Sequence, residues 1–247
     1  MSVLALYQYK TALTTFGQSQ KLPDQLVAER GETEYLPIVY DFCWNTGVHG
    51  YATIGPVDFG VAALNGSLGS PAREINHDRP NVAAHVTVHT GPYASFGMWG
   101  GVGPYLTKDL EPQLPAGTSL ESFEQRTLGA STHFSYGHWE GYAEGMVNRF
   151  EHPFFGNLDN MGGYADLTWS FAPRWHLAGR VDHLSFARTE SLQNQRWDYP
   201  LSRYEFGVGR WLSEKSLVKL VSQTVRYTGA PTELDDEVYA LQFTVKM

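Results

Sequence analysis

Nine charged residues, Asp41, Glu140, Glu144, Asp166, Arg180, Asp182, Arg203, Glu205 and Lys219, fall inside stretches whose apolar residues recur at every second position. In an extended chain that spacing gathers the charges on one face and the greasy side chains on the other. Such a face suits a water-filled interior whose charged rings set selectivity. It suits equally a stiffened wall, in which Arg180 with Asp182 and Arg203 with Glu205 form cross-strand salt ladders. Both readings stand for each residue. Acidic members outnumber basic ones, which favours cations or neutral solutes over phosphate.

Other reactive groups point less clearly to chemistry. His85 and His89 share a face but lie four strand residues apart, about 13 Å, too far for one metal ion. His133 and Ser135, with His138 nearby, invite a serine-hydrolase reading, yet no nucleophile elbow or barrel-lipase motif accompanies them. The acidic run Glu233, Asp235, Asp236 and Glu237 lacks the glycine and spacing of a calcium loop and reads as a solvated loop. Cys43 stands alone, so no disulfide framework or thiolate metal site is expected. The expectation is therefore no catalytic residue, no metal and no cofactor. Phe154-Phe155-Gly156 either folds inward as a constriction or sits in an outer leaflet.

The elements that must hold these residues are strands. Glu237 to Met247 alternates throughout, with Tyr239, Leu241, Phe243, Val245 and Met247 on one face and Ala240, Gln242, Thr244 and Lys246 on the other. Alternation and breakers give about 12 strands, at 3 to 15, 39 to 54, 57 to 65, 81 to 90, 93 to 103, 124 to 136, 139 to 149, 162 to 171, 174 to 186, 202 to 212, 216 to 227 and 237 to 247. Val82, Ala84, Val86 and Val88 oppose His85, Thr87 and His89, and Tyr204, Phe206 and Val208 oppose Arg203, Glu205 and Gly207. The strand from Trp139 is apolar on both faces, and the facing of Val221 and Val225 is undecided. Tight turns at Gly55-Pro56, Gly91-Pro92, Gly137-His138, Ala172-Pro173 and 213 to 215 alternate with long polar loops at 16 to 38, 66 to 80, 104 to 123, 150 to 161, 187 to 201 and 228 to 236. Short and long connections thus collect at opposite ends, the asymmetry of a membrane β-barrel. Aromatics at strand ends, Trp139, Phe171, Trp175, Tyr199, Tyr204, Trp211 and Tyr227, are candidates for interfacial girdles.

Composition narrows the class. Aromatics make up 14% of 247 residues, mean hydropathy is −0.32, and no stretch approaches the roughly 20 apolar residues of a spanning helix. A barrel tolerates such an average, because inward polar residues halve the apolar content of each strand. The net charge of −8 argues against nucleic acid, which needs a clustered basic surface.

Gly163 to Ser185, Arg203 to Leu212, Ser216 to Gln223 and the terminal strand resemble the C-terminal half of Gram-negative general and phosphate-selective porins, as does Val57 to Gly66. The terminal strand is also similar to the closing strand and assembly signal of bacterial outer-membrane barrels, although those usually end in Phe rather than Met247. The resemblance implies one antiparallel transmembrane β-barrel domain over 1 to 247, in the outer membrane of a bacterium, passing small hydrophilic solutes or ions. Its implied partners are outer-membrane lipid, the barrel-assembly machinery through the last strand, and two further copies in a homotrimer. The basic clusters of phosphate-selective members are not evident. No secretory signal is read in Met1 to Phe16, so either the start codon is misplaced or the chain is truncated; the expectation is a truncated 16-stranded barrel lacking its signal peptide and first strands, and the alternative is a small closed barrel of about 12 strands. The competing readings are a barrel enzyme acting on lipids, an adhesin or assembly-only barrel with a plugged interior, and a soluble lipocalin-like binding protein.

Overall fold

The computed structural model describes residues 46–65, 77–106, 108–229 and 235–245. The strands are β1 (Thr46–Ile54), β2 (Val57–Asn65), β3 (Asn81–His89), β4 (Ala94–Pro104), β5 (Glu124–Tyr136), β6 (Trp139–His152), β7 (Gly156–Ala172), β8 (Trp175–Phe186), two short strands β9 (Arg188–Thr189) and β10 (Gln195–Arg196), β11 (Leu201–Trp211), β12 (Ser216–Tyr227) and β13 (Asp236–Val245). The long ones form a single 11-stranded sheet in chain order, with β1 and β13 at its edges, while β9 and β10 make a separate ribbon. Every pairing is antiparallel between neighbours. This is an all-β meander of the barrel type. The strand expected at 3 to 15, the start of that expected at 39 to 54, Asp41, Cys43, Lys246 and Met247 lie outside the described residues.

Burial follows alternation, and so defines an inner and an outer face. On β3, Asn81 and Ala83 are buried while Val82, Val86 and Val88 are exposed; on β11, Leu201, Arg203 and Glu205 are buried while Tyr204 and Phe206 are exposed. Polar residues inside and apolar residues outside is the inverse of a water-soluble barrel and the sidedness of a transmembrane one. On β12, Val221 is inner, sharing the face of Lys219, and Val225 packs from inside against the buried apolar cluster described below.

The outer face also shows its vertical limits. At the short-turn end Trp139, Trp169, Phe171 and Trp175 form a chain of ring contacts, at 5.4, 5.6 and 6.4 Å between centroids. Ten residues up β6 from Trp139, Arg149 binds Asp159 on the outer face through two hydrogen bonds of 2.6 and 2.8 Å. Ten residues are about 33 Å of strand, and tilted by roughly 40° they rise about 25 Å, the height of a barrel's apolar band. Tyr227 departs from the expected girdle, since it packs against the inner cluster.

The connection expected at 150 to 161 is strand for most of its length. β6 and β7 pair up to His152 and Gly156, leaving a turn of 153–155. Above the apolar band the outer face turns polar and the inner face is buried with apolar and polar residues alike, so the apolar-out, polar-in alternation disappears although pairing continues. Arg149 with Asp159 outside and Asn148 opposite Asn160 inside look like a polar loop but act as cross-strand pairs.

Candidate functional site

The inner face of β6, β7, β8 and β11 carries a charged belt at mid-height. Glu144 stands opposite Tyr164, Tyr164 opposite Asp182, and Asp182 opposite Arg203. One step nearer the short turns, Tyr142, Asp166, Arg180 and Glu205 face each other in the same order. Two neighbouring rungs therefore run across four strands, each alternating acid with base or phenol.

Asp182 is the hub of the belt. It is fully buried, and Arg180 Nε donates to its Oδ1 at 2.8 Å while Arg203 Nε donates to its Oδ2 at 2.8 Å. Arg180 also reaches Asp166 at 3.8 Å, and its guanidinium lies 4.0 Å above the Tyr164 ring. Arg203 stands 4.0 Å from Glu205. The expected ladder exists with different rails. Arg180–Asp182 and Arg203–Glu205 run along their own strands, and the cross-strand links are Arg203–Asp182 and Arg180–Asp166.

The remaining predicted positions gather elsewhere on the same face. Glu140 accepts the Tyr142 hydroxyl at 2.7 Å and lies 3.6 Å from His133, whose ring stacks on Tyr142 at 4.3 Å. Lys219 is buried, opposite Gly209. A Cβ on Gly209 would fall 2.2 Å from the His176 ring, so glycine is what lets that ring lie over the strand beside Lys219. Asp41 lies outside the described residues and is not placed.

The other candidates disperse. His89 pairs with Asp58 at 2.7 Å, whereas His85 leans toward His49 with centroids 6.2 Å apart. Asp235 and Glu237 bind Arg226, and Glu233 lies outside the described residues. Among the described residues no three His, Cys, Asp or Glu converge as metal ligands. Phe155 stacks on His152 at 4.7 Å, and both Phe154 and Phe155 stay exposed at the hairpin tip.

The segment that folds over the inner face is instead the connection between β4 and β5. Tyr105, Leu106 and Leu120 pack on Phe150, Leu158, Leu184, Phe186 and Leu201 of the wall, with Trp197 completing the cluster. This apolar seat sits just above the charged belt: Leu184 and Leu201 are paired, two residues beyond Asp182 and Arg203. Sequence reading missed it, although alternation already put Phe186, Leu184 and Leu201 on the face of the charges. Inner apolar residues are unexplained by a wet lumen until a loop covers them. Trp99 and Tyr164 were missed similarly, and the parity of their neighbours would have found both.

An open antiparallel meander with a charged inner face, an apolar outer face and a loop folded against the interior defines a porin-like β-barrel wall. No family model matches the chain, and no curated protein does. Among solved structures it is similar to the anion-selective porin of Comamonas acidovorans, with TM-score 0.55 and 8% identity over 80% of this chain and 55% of that one. A porin matches with TM-score 0.54 and 14% identity over 82% and 62%, and OmpT, an outer membrane protein of Vibrio cholerae, with TM-score 0.51 and 11% identity over 81% and 59%. At these identities the likeness is one of fold. The chain spans 55 to 62% of the length of these three structures.

Proposed function

We propose that the chain forms an outer-membrane diffusion channel for small hydrophilic solutes or ions, with a lining that favours cations. The observation that carries this reading is the charged inner face, the belt and the positions beside it: five inner carboxylates, Glu140, Glu144, Asp166, Asp182 and Glu205, accompany three inner cations, Arg180, Arg203 and Lys219. Asp182 is consumed by two guanidiniums, which leaves the outlying carboxylates to set the sign of the field. The Comamonas porin is anion-selective by name, whereas the inner charges named here are more acidic than basic. Outer-membrane lipid, delivery by the barrel-assembly machinery through β13, and a homotrimer belong to the same proposal. Single-channel recording in a planar bilayer tests it: stepwise ohmic conductance with a cation-selective reversal potential is expected. A silent bilayer together with lipid hydrolysis abolished by His133→Ala would replace the channel with a barrel enzyme.

A further inference from the structure

On the outer wall near its long-loop end, three rows of residues lie one above another across β5, β6 and β7. The top row pairs Arg126 with Arg149 and Arg149 with Asp159, the next Leu128 with Val147 and Val147 with Met161, and the third Ala130 with Gly145 and Gly145 with Gly163. The middle row is exposed by 53, 54 and 57%. A groove of about 630 Å³ opens between the top row, the middle row and Arg196, and the third row, which has almost no side chains, continues the wall below it.

The groove has the polarity of an amphiphile. Of the four charged residues that line it, three are arginines, Arg126, Arg149 and Arg196, and one is Asp159. Arg149 spends two N–H groups on Asp159, Arg126 reaches Glu124 and Glu151 at 3.0 Å each, and Arg196 is anchored by one bond of 2.6 Å to the Phe186 carbonyl. A guanidinium carries five N–H donors, so each retains some for an incoming anion. From the arginine row to the glycine row is four residues, about 13 Å down the strand into the apolar band.

We infer that this groove binds one phosphate-bearing lipid, its head at Arg126, Arg149 and Arg196 and an acyl chain on Leu128, Val147 and Met161, running down over Gly145 and Gly163. The site rests on the outer-membrane reading above, since it needs lipid on that face. Phosphate suits it better than a carboxylate because three guanidiniums converge from different elements, and a tetrahedral oxyanion can accept from more than one of them.

Native mass spectrometry of the full chain in phosphatidylcholine nanodiscs containing phosphatidic acid tests it, with heat-modifiable gel mobility recorded on the same samples. Retention of one phosphatidic acid, about tenfold favoured over phosphatidylcholine, is expected from interfacial arginines. Arg149→Gln with Arg196→Gln should remove that preference, and Val147→Trp, which fills the groove without touching charge, should lower retention in a chain that still shows the shifted gel band. Equal retention of both lipids marks ordinary boundary lipid and overturns the site. Displacement by inorganic phosphate alone makes it a simple anion site and overturns the acyl contribution, and lipid-free oligomers would make the groove a contact between copies. Loss of heat-modifiable mobility in the wild-type chain would instead remove the barrel reading and the lipid site with it.

Discussion

Asp182 separates two kinds of contribution that charged residues make to a barrel wall. Its carboxylate is shared by Arg180 and Arg203 and has no exposure, so it serves cohesion more than selectivity. Asp182→Asn leaves two buried guanidiniums without their common partner and should destabilise the folded barrel by about 3 to 5 kcal/mol, measured by urea unfolding from detergent micelles. Adding Arg203→Gln to it should recover part of the loss, because the second orphaned charge is then gone. Glu140, half exposed beside His133, should behave differently: Glu140→Gln should shift the reversal potential toward anions while leaving the unfolding midpoint nearly unchanged. A second residue-scale test concerns space. A Cβ on Gly129 would fall 2.4 Å from the indole of Trp99, so Gly129→Val should push that ring toward the lumen and lower conductance.

Alternation made the strands and the sidedness of the charges legible, because one face in lipid and one in water leaves a period of two that no local propensity has to supply. The limits of β5 and β12 are those expected, and eight of the nine pore-lining candidates are placed on the inner face; the ninth, Asp41, lies outside the described residues. What stayed illegible is non-local. Leu120 is one of several apolar residues in its loop, with Tyr105, Leu106, Leu110 and Leu114, and nothing near it in sequence reveals that it joins Leu184 and Leu201 of the wall in one cluster. The end of the β6–β7 hairpin was hidden for a different reason, since beyond the apolar band the two strands lose the alternation that identifies them.

The loop between β4 and β5 is held by a second device that responds to acid. Its short 3-10 turn at Leu120–Ser122 faces the segment before β3: the Asp78 N–H donates to Glu121 Oε1 at 3.1 Å, and Arg79 donates to the Glu121 carbonyl at 2.9 Å. Burial pushes His77 below its ordinary value of 6.5, so the joined loops hold it neutral. As pH falls through 6.5, separated loops take up a proton that joined loops refuse, and closure weakens. The Asp78 N–H lowers the Glu121 carboxyl from 4.5, so its contribution is complete above that value and is lost as pH falls through the lowered one. Both signs agree. Hydrogen exchange at the Asp78 amide, corrected for intrinsic rate, should show protection falling between about pH 7.5 and about pH 5; constant protection would contradict the linkage.

At the scale of the molecule the decisive property is which face meets lipid. Leu167 lies on the outer face of β7 between Phe171 and the polar row at Asp159, and Thr168, its neighbour, lies on the inner face opposite Glu140. The two residues are adjacent in sequence and occupy the same depth, so they share secondary structure, strand position and distance from the turns. An arginine at Leu167, two residues above the Trp139–Trp169 girdle, must carry its charge into the edge of the hydrocarbon, which costs roughly 1 to 2 kcal/mol, between the values of mid-depth and of the interface. At Thr168 it lies on the polar inner face with a carboxylate across the strand, and its cost should be smaller. Equilibrium unfolding from phospholipid vesicles should therefore rank Leu167→Arg well below Thr168→Arg in stability. A soluble all-β protein with an apolar interior would give the reverse order, because there the face bearing Leu167 would be packed and the face bearing Thr168 would be wet.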